Sequence, residues 1–434
     1  MTARCILVAL VTGLLVTGCP SMTFTADPVA NGAHTFSLDF LSFGRDIALT
    51  SDGGLLIVGD GGADLDMGVA KLAPDKTILW SRTLPGLCTP YAENRQLAAV
   101  DGEGGALAVG SRKWLNTIDG EPQRIVLHRI DADGNTVWEG TLGPDNCHPT
   151  ACIRHGDGFA IAARGFSFLP GQDGDMDPHG CSAFVVGIAE DGEERWRTQL
   201  DVDELEVYLY AMAETGDGSI VAVGRHGPSR DASPYPGASE IVLYRLSAAG
   251  ELTWSRTVGA DGADDFTPCS VAVGPDGDVW IAGTRWSIAS PCGPLRESAF
   301  VARLDAEGEV IWWAEDLTER HGWHDVSQAR ELVVHGDGRA ALVGVHNWSL
   351  RPDFPGLSFP LFASRSTPFA VQLDPDGRRI WVCEFGAGES VDGLAVSSEG
   401  TYVTCGTAMT DLPVLLPVYE LDQHGNLIRP EAGR

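Results

Sequence analysis

Ser270-Val271-Ala272-Val273-Gly274-Pro275-Asp276-Gly277-Asp278-Val279-Trp280-Ile281-Ala282-Gly283 is the stretch that decides the fold of this chain. Two short apolar runs, rich in β-branched residues, flank Gly274-Pro275-Asp276-Gly277. In such a cluster Pro presets φ, Asp bonds nearby backbone and Gly accepts positive φ, so the segment reads as strand, tight turn, strand.

Working outward, the acidic residue of this turn recurs at Asp52, Glu103, Asp157, Asp217, Asp337 and Glu399, at intervals of 51 to 62 residues. Seven positions after each acidic residue stands Gly59, Gly110, Arg164, Gly224, Gly283, Gly344 or Gly406, so one repeat carries Arg where the others carry Gly. A third apolar run then leads to a second turn, as in Arg303-Leu304-Asp305-Ala306-Glu307-Gly308. Beyond the second turn comes Trp80, Trp138, Trp196, Trp254, Trp312 or Trp381. Four short strands, A to D, repeated seven times without helical periodicity predict an all-β, seven-bladed β-propeller. The Asp-Gly pairs are explained by turn chemistry, and the Trp residues by the need of an outer strand to cover its neighbour's flank.

The last repeat has Arg429 where Trp is expected, and Pro430 follows. Gly32 to Asp39 matches Gly134 to Thr141, with Phe36 in the place of Trp138. The reading is that an amino-terminal strand supplies the outer strand of blade seven and closes the ring without an unpaired edge. A short strand at Asn426 to Arg429 is the alternative.

The chain has 434 residues and is 44% hydrophobic, with 53 Gly and 25 Pro, which suits a turn-rich β protein and excludes wholesale disorder. Its formal charge of −30 repels phosphate backbones, so nucleic acid is excluded as a partner. Met1 to Gly18 holds one cation, Arg4, and an apolar run of 11 residues from Ile6 to Val16. A membrane span needs about 20, so this run reads as the core of a signal peptide. Val16-Thr17-Gly18-Cys19 resembles a bacterial lipobox, which implies cleavage before Cys19 and its lipidation. The expected organisation is signal peptide 1–18, lipidated cysteine and tether 19–31, and propeller 32–434. The expected location is the cell envelope, at the outer membrane or cell surface, as a monomer.

The stretch from Ser270 to Gly283 resembles the bacterial SBBP-type β-propeller repeat and is similar to NHL-type repeats. Asp131-Ala132-Asp133-Gly134-Asn135-Thr136-Val137-Trp138 is similar to part of the quinoprotein (PQQ-like) repeat. The resemblance implies architecture; families with such repeats include dehydrogenases, lyases and non-catalytic assembly lipoproteins.

The B–C and D–A connections are long and emerge on one face, where function is expected. Trp114, Trp286 and Trp348 follow strand B, accompanied by Arg112, Arg285 and His346, and Trp323 lies on a D–A loop. Aromatic residues beside Arg suit protein interfaces and sugar platforms; pinning of their own loops explains them equally. Asp173, Asp175 and Asp177 begin a calcium-loop pattern, yet Pro178 and Phe184 stand where Gly and a bidentate acid are required. His321-Gly322-Trp323-His324-Asp325 lacks a third ligand for a metal. Eight Cys besides Cys19 remain after the signal, and an even number in an exported protein suggests disulfides. Cys269 with Cys292 is the first pairing expected, and Cys181 with Cys147 or Cys152 the second. No nucleophile elbow, nucleotide loop or zinc-protease motif is present, and no cofactor is expected. The first reading is therefore a lipid-anchored, non-catalytic binding or assembly module for an envelope or extracellular protein. A quinone-dependent dehydrogenase or lyase, and a polysaccharide-binding surface lipoprotein, are the alternatives.

Overall fold

The structure, a computed structural model, describes residues 34–36, 43–61, 66–84, 87–88, 98–100, 104–112, 124–143, 147–170, 176–200, 207–227, 239–259, 264–288, 295–315, 317–318, 325–349, 364–385, 389–397, 399–408 and 416–428. The described residues form seven antiparallel sheets and no helix. Blade 1 runs outward through Phe43–Leu49, Leu55–Gly61, Asp66–Leu72 and Ile78–Leu84. Blades 3 to 6 repeat this order from Cys147–His155 to Arg379–Glu384. In blade 2 the inner strand is in two pieces, Leu87–Cys88 and Ala98–Val100, both paired with Ala106–Arg112. The seven-bladed all-β propeller expected from the repeats is the fold.

Each sheet is sandwiched between two others, so its middle strands are apolar on both faces. Leu55, Leu56, Ile57 and Val58 are consecutive and all buried. The outer strand Ile78–Leu84 has one face in water and is mostly exposed. The core is accordingly a ring of apolar layers between successive blades, such as Leu107, Val109 and Ile125 of blade 2 against Phe159, Ile161 and Val186 of blade 3. Burying one such side chain contributes about 1.5–3 kcal/mol.

The periodic Trp residues tie these layers at the rim. Trp138 Nε1 donates to the Glu190 carbonyl at 2.8 Å, and Trp312 Nε1 to the Pro375 carbonyl at 2.9 Å, each acceptor lying in the C–D turn of the following blade. The turn glycine admits the indole: a Cβ on Gly134 would come 2.6 Å from Trp80 Cδ2, and its φ of +82° already disfavours a side chain.

Blade 7 consists of Glu389–Val396, Tyr402–Ala408, Leu416–Leu421 and the amino-terminal strand His34–Phe36. The ring is thus closed by the amino terminus, as the sequence predicts. The register corrects one detail: His34 faces Val418 and Phe36 faces Leu416, the place that Val258 takes opposite Ile241 in blade 4. Phe36 is therefore not in the Trp slot. The lower half of that outer strand comes from the carboxyl terminus, where Leu427 bridges Leu421 and Ile428 N donates to the Glu420 carbonyl at 2.9 Å. Among the described residues the two ends of the chain share one outer strand. Where blade 7 meets blade 1 the Trp contact is replaced: Lys76, at φ 70°, holds the turn position that Gly has elsewhere and pairs with Glu420 at 2.7 Å.

Inner strands carry a recurrent bulge, at Pro149/Ala151, Leu209/Ala211, Pro268/Ser270, Ala329/Glu331 and Val391/Gly393. Such a bulge adds twist and resets which residues face each other across strands A and B. Above the bulge, His148 lies directly across from Arg164, and Tyr208 from Arg225.

Candidate functional site

These two cross-strand pairs occupy the same place in adjacent blades, so four polar side chains line up across blades 3 and 4. The Arg164 guanidinium carbon lies 5.2 Å from the centre of the Tyr208 ring, and that of Arg225 lies 5.7 Å from it. Tyr208 is thereby gripped by two cations, an arrangement worth about 0.5–2 kcal/mol per contact. Arg164 and Tyr208 are half-buried, whereas Arg225 is buried. Arg225 Nη1 is 3.8 Å from Asp265 Oδ1, and both side chains are almost wholly shielded from water. Asp265 also accepts from Ser239 Oγ, which in turn accepts from the Phe266 backbone N–H at 3.2 Å. On the other side, Ser111 Oγ of blade 2 is 3.0 Å from His148 Nδ1.

Burial, with the neighbouring Arg164 charge adding to it, depresses the His148 imidazole to about 4. At neutral pH the ring is an uncharged acceptor beside two permanent cations. A site with this composition can hold a carboxylate or sulfate on the guanidinium groups and move a proton through imidazole and phenol.

Sequence reasoning missed this row. His148 and Tyr208 lie inside inner strands rather than on loops, and only the bulge brings them opposite the arginines. One signal was visible, the Arg at 164 in a Gly position. The hairpin between the first two strands of blade 3 joins His155 directly across from Gly158, which is tighter than in the other blades. Ala163 therefore faces Pro149 as Gly224 faces Leu209, and Arg164 corresponds to Arg225.

Of the loop residues expected to form the interaction face, Arg285, Trp286 and His346 have described side chains. Arg285 is held by Asp264 at 2.5 Å and by Glu315 at 2.7 Å. Trp286 is half-buried on its strand between Asp265 and Glu297, and His346 is buried with its ring against Phe369 at 4.6 Å. Arg112 and Trp348 end described strands, but their side chains lie outside the described residues, as do Trp114 and Trp323 entirely. Cys19, Asp173 and Asp175 lie outside them too, and Asp177 is described only as strand backbone. Among the described residues no group of His, Cys, Asp or Glu could hold a metal ion.

No disulfide is found among the described residues. Cys147 and Cys152 are buried on one inner strand, where Cys is accommodated as a small apolar residue, and Cys269 is half-buried on another. The side chains of Cys181 and Cys292 lie outside the described residues.

No family model matches the chain. A curated relative, the regulatory protein FlaEY of Caulobacter vibrioides, is 30% identical over 114 residues, covering 24% of this chain and 11% of that protein. The chain thus spans about a tenth of that relative's length. Among solved structures, an ulvan polysaccharide lyase bound to -[GlcA(1-4)Rha3S]- matches with a TM-score of 0.56 at 8% identity, over 90% of this chain and 97% of that one. The polysaccharide lyase Uly1 matches with a TM-score of 0.52 at 12% identity, over 93% of each chain. A puromycin hydrolase matches with a TM-score of 0.55 at 15% identity, over 95% of this chain and 55% of that one. At these identities the likeness is one of fold. The expectation that the chain is not an enzyme is corrected: these structural neighbours are enzymes, so the fold gives no ground for excluding catalysis.

Proposed function

We propose that the chain is an exported β-propeller that binds a uronate-bearing polysaccharide across blades 3 and 4 and cleaves it by β-elimination. The observation that carries this reading is the row His148, Arg164, Tyr208 and Arg225, with its neutral imidazole and paired guanidinium groups. Elimination requires neutralisation of the uronate carboxylate, which makes the adjacent C5 proton removable. It then requires a base for that proton and an acid for the departing oxygen. In this reading Arg164 faces the carboxylate, Arg225 backs the Tyr208 ring while paired with Asp265, His148 accepts the C5 proton and Tyr208 protonates the leaving O4. The C5–H electron pair becomes the C4=C5 double bond as the C4–O4 bond breaks.

The overall charge of −30 opposes a polyanion at long range. Screening over about 8 Å in physiological salt leaves the local guanidinium groups to determine binding. The fold's likeness to lyases, one of them bound to a glucuronate-containing repeat, supports the reading. Export through residues 1–18 and a lipid on Cys19 belong to the same proposal, and would hold the propeller at the envelope surface, within reach of extracellular glycans.

The test is incubation of the purified protein with a panel of uronate polysaccharides while the ultraviolet absorbance of the unsaturated product is followed. Binding without absorbance in any sample would reduce the site to a lectin-like surface, and neither signal would remove the proposal.

A further inference from the structure

Ser111 precedes the row by one blade and shares its geometry. It faces Cys88 across the first two strands of blade 2, as Arg164 faces His148 and Arg225 faces Tyr208. The three strand-B positions that approach the site are therefore Ser, Arg and Arg in successive blades. Ser111 is 1% exposed and His148 8%, so the contact between Ser111 Oγ and His148 Nδ1 at 3.0 Å is made out of reach of bulk water.

We infer that Ser111 is a positioning residue of this site, accepting a hydrogen bond from His148 Nδ1–H and so directing Nε2 to the substrate proton. The inference rests on the reading of His148 as the proton acceptor. A neutral imidazole carries its proton on one nitrogen only, and the partner of the other nitrogen sets which. When Nε2 takes up a proton the ring becomes a donor at both nitrogens. A serine that already accepts from Nδ1–H keeps its bond through that step, whereas one that donates to Nδ1 must turn away. The hydroxyl thus supports both protonation states that a base passes through, and a buried apolar side chain at position 111 supports neither.

The experiment is ¹⁵N NMR of histidine-labelled full-length protein at neutral pH, compared among the native protein, Ser111→Ala and Ser111→Thr. The expected result is a single Nδ1–H tautomer for His148 in the native protein and in Ser111→Thr, and a mixture or the Nε2–H form in Ser111→Ala. With a uronate polysaccharide as substrate, Ser111→Ala should lower kcat roughly tenfold with KM unchanged. An Nε2–H tautomer in the native protein overturns the inference, as does an unchanged tautomer in Ser111→Ala. Because the tautomer is read without substrate, a native protein that shows Nδ1–H yet cleaves nothing would refute the enzymatic reading and leave Ser111 only as the residue that fixes the His148 tautomer. Should Ser111→Ala fail to fold, the native tautomer alone decides.

Discussion

Trp80 Nε1 donates to the carbonyl of Ala132 at 2.8 Å, although 52 positions separate them. That separation is close to the repeat length, so this outer strand is pinned to the equivalent turn of the following blade. The same bond is made by Trp138 to Glu190 and by Trp381 to Gln423.

Gly134→Ala should cost about 2–3 kcal/mol, because the new methyl meets the Trp80 indole and the backbone is already at positive φ. Trp312→Phe should cost about 1 kcal/mol through loss of the bond to Pro375. Urea unfolding of the two variants measures both, and equal costs would show that the indole ring rather than its N–H holds the seam.

Because the chain ends share the outer strand of blade 7, deletion through Phe36 and truncation after Gly425 should each lower the melting temperature. Together they should expose the whole edge of Leu416–Leu421 and cause association in solution. Differential scanning calorimetry with light scattering checks this. An unchanged melting temperature in either single truncation would assign closure to the other end alone.

The fold was legible because its signals are local: a turn, a strand and a Trp at fixed offsets within each repeat. The site was not, because His148 and Tyr208 acquire their neighbours from the bulge and from the next blade, neither of which leaves a mark in a linear pattern. Phe36 was misplaced for a related reason. An aromatic residue near the amino terminus resembles Trp138, but only strand register shows that Leu416 is its partner.

His148 should contribute to acid sensitivity. Its imidazole falls from 6.5 to about 4 on folding, so the unfolded chain takes up a proton first as the pH drops. Stability is fully present above about 6.5 and is lost progressively down to about 4, by about 3 kcal/mol in all. His148→Gln should flatten that limb of a plot of urea midpoint against pH, and an unaltered slope would show that the imidazole is not held neutral.

At the site itself, Tyr208→Phe should lower kcat by about 10²- to 10⁴-fold with little change in KM, whereas Arg164→Ala should raise KM for a uronate substrate as well. Steady-state kinetics with calorimetric titration of an uncleaved oligosaccharide separates the two. Identical losses in both variants would point to a collapsed site in place of distinct roles.

Cys19→Ser should abolish lipid attachment, leaving either uncleaved precursor or an unanchored exported form. Labelling with a clickable fatty acid, followed by mass spectrometry of the amino-terminal peptide, reads this directly.

The pairing of Lys76 with Glu420 gives the ring a marked join. Six seams join an indole to a glycine turn, and the seventh joins a cation to an anion through a turn that has no glycine. An eighth blade of the common pattern, inserted before blade 1, would bring a tryptophan onto the Lys76 turn and strand Glu420 against a glycine. Duplication of an interior blade meets no such mismatch at its own borders, so growth by copying is permitted inside the ring and penalised at its join. The odd seam therefore acts as a full stop in the repeat, specifying where the circle ends as well as holding it shut.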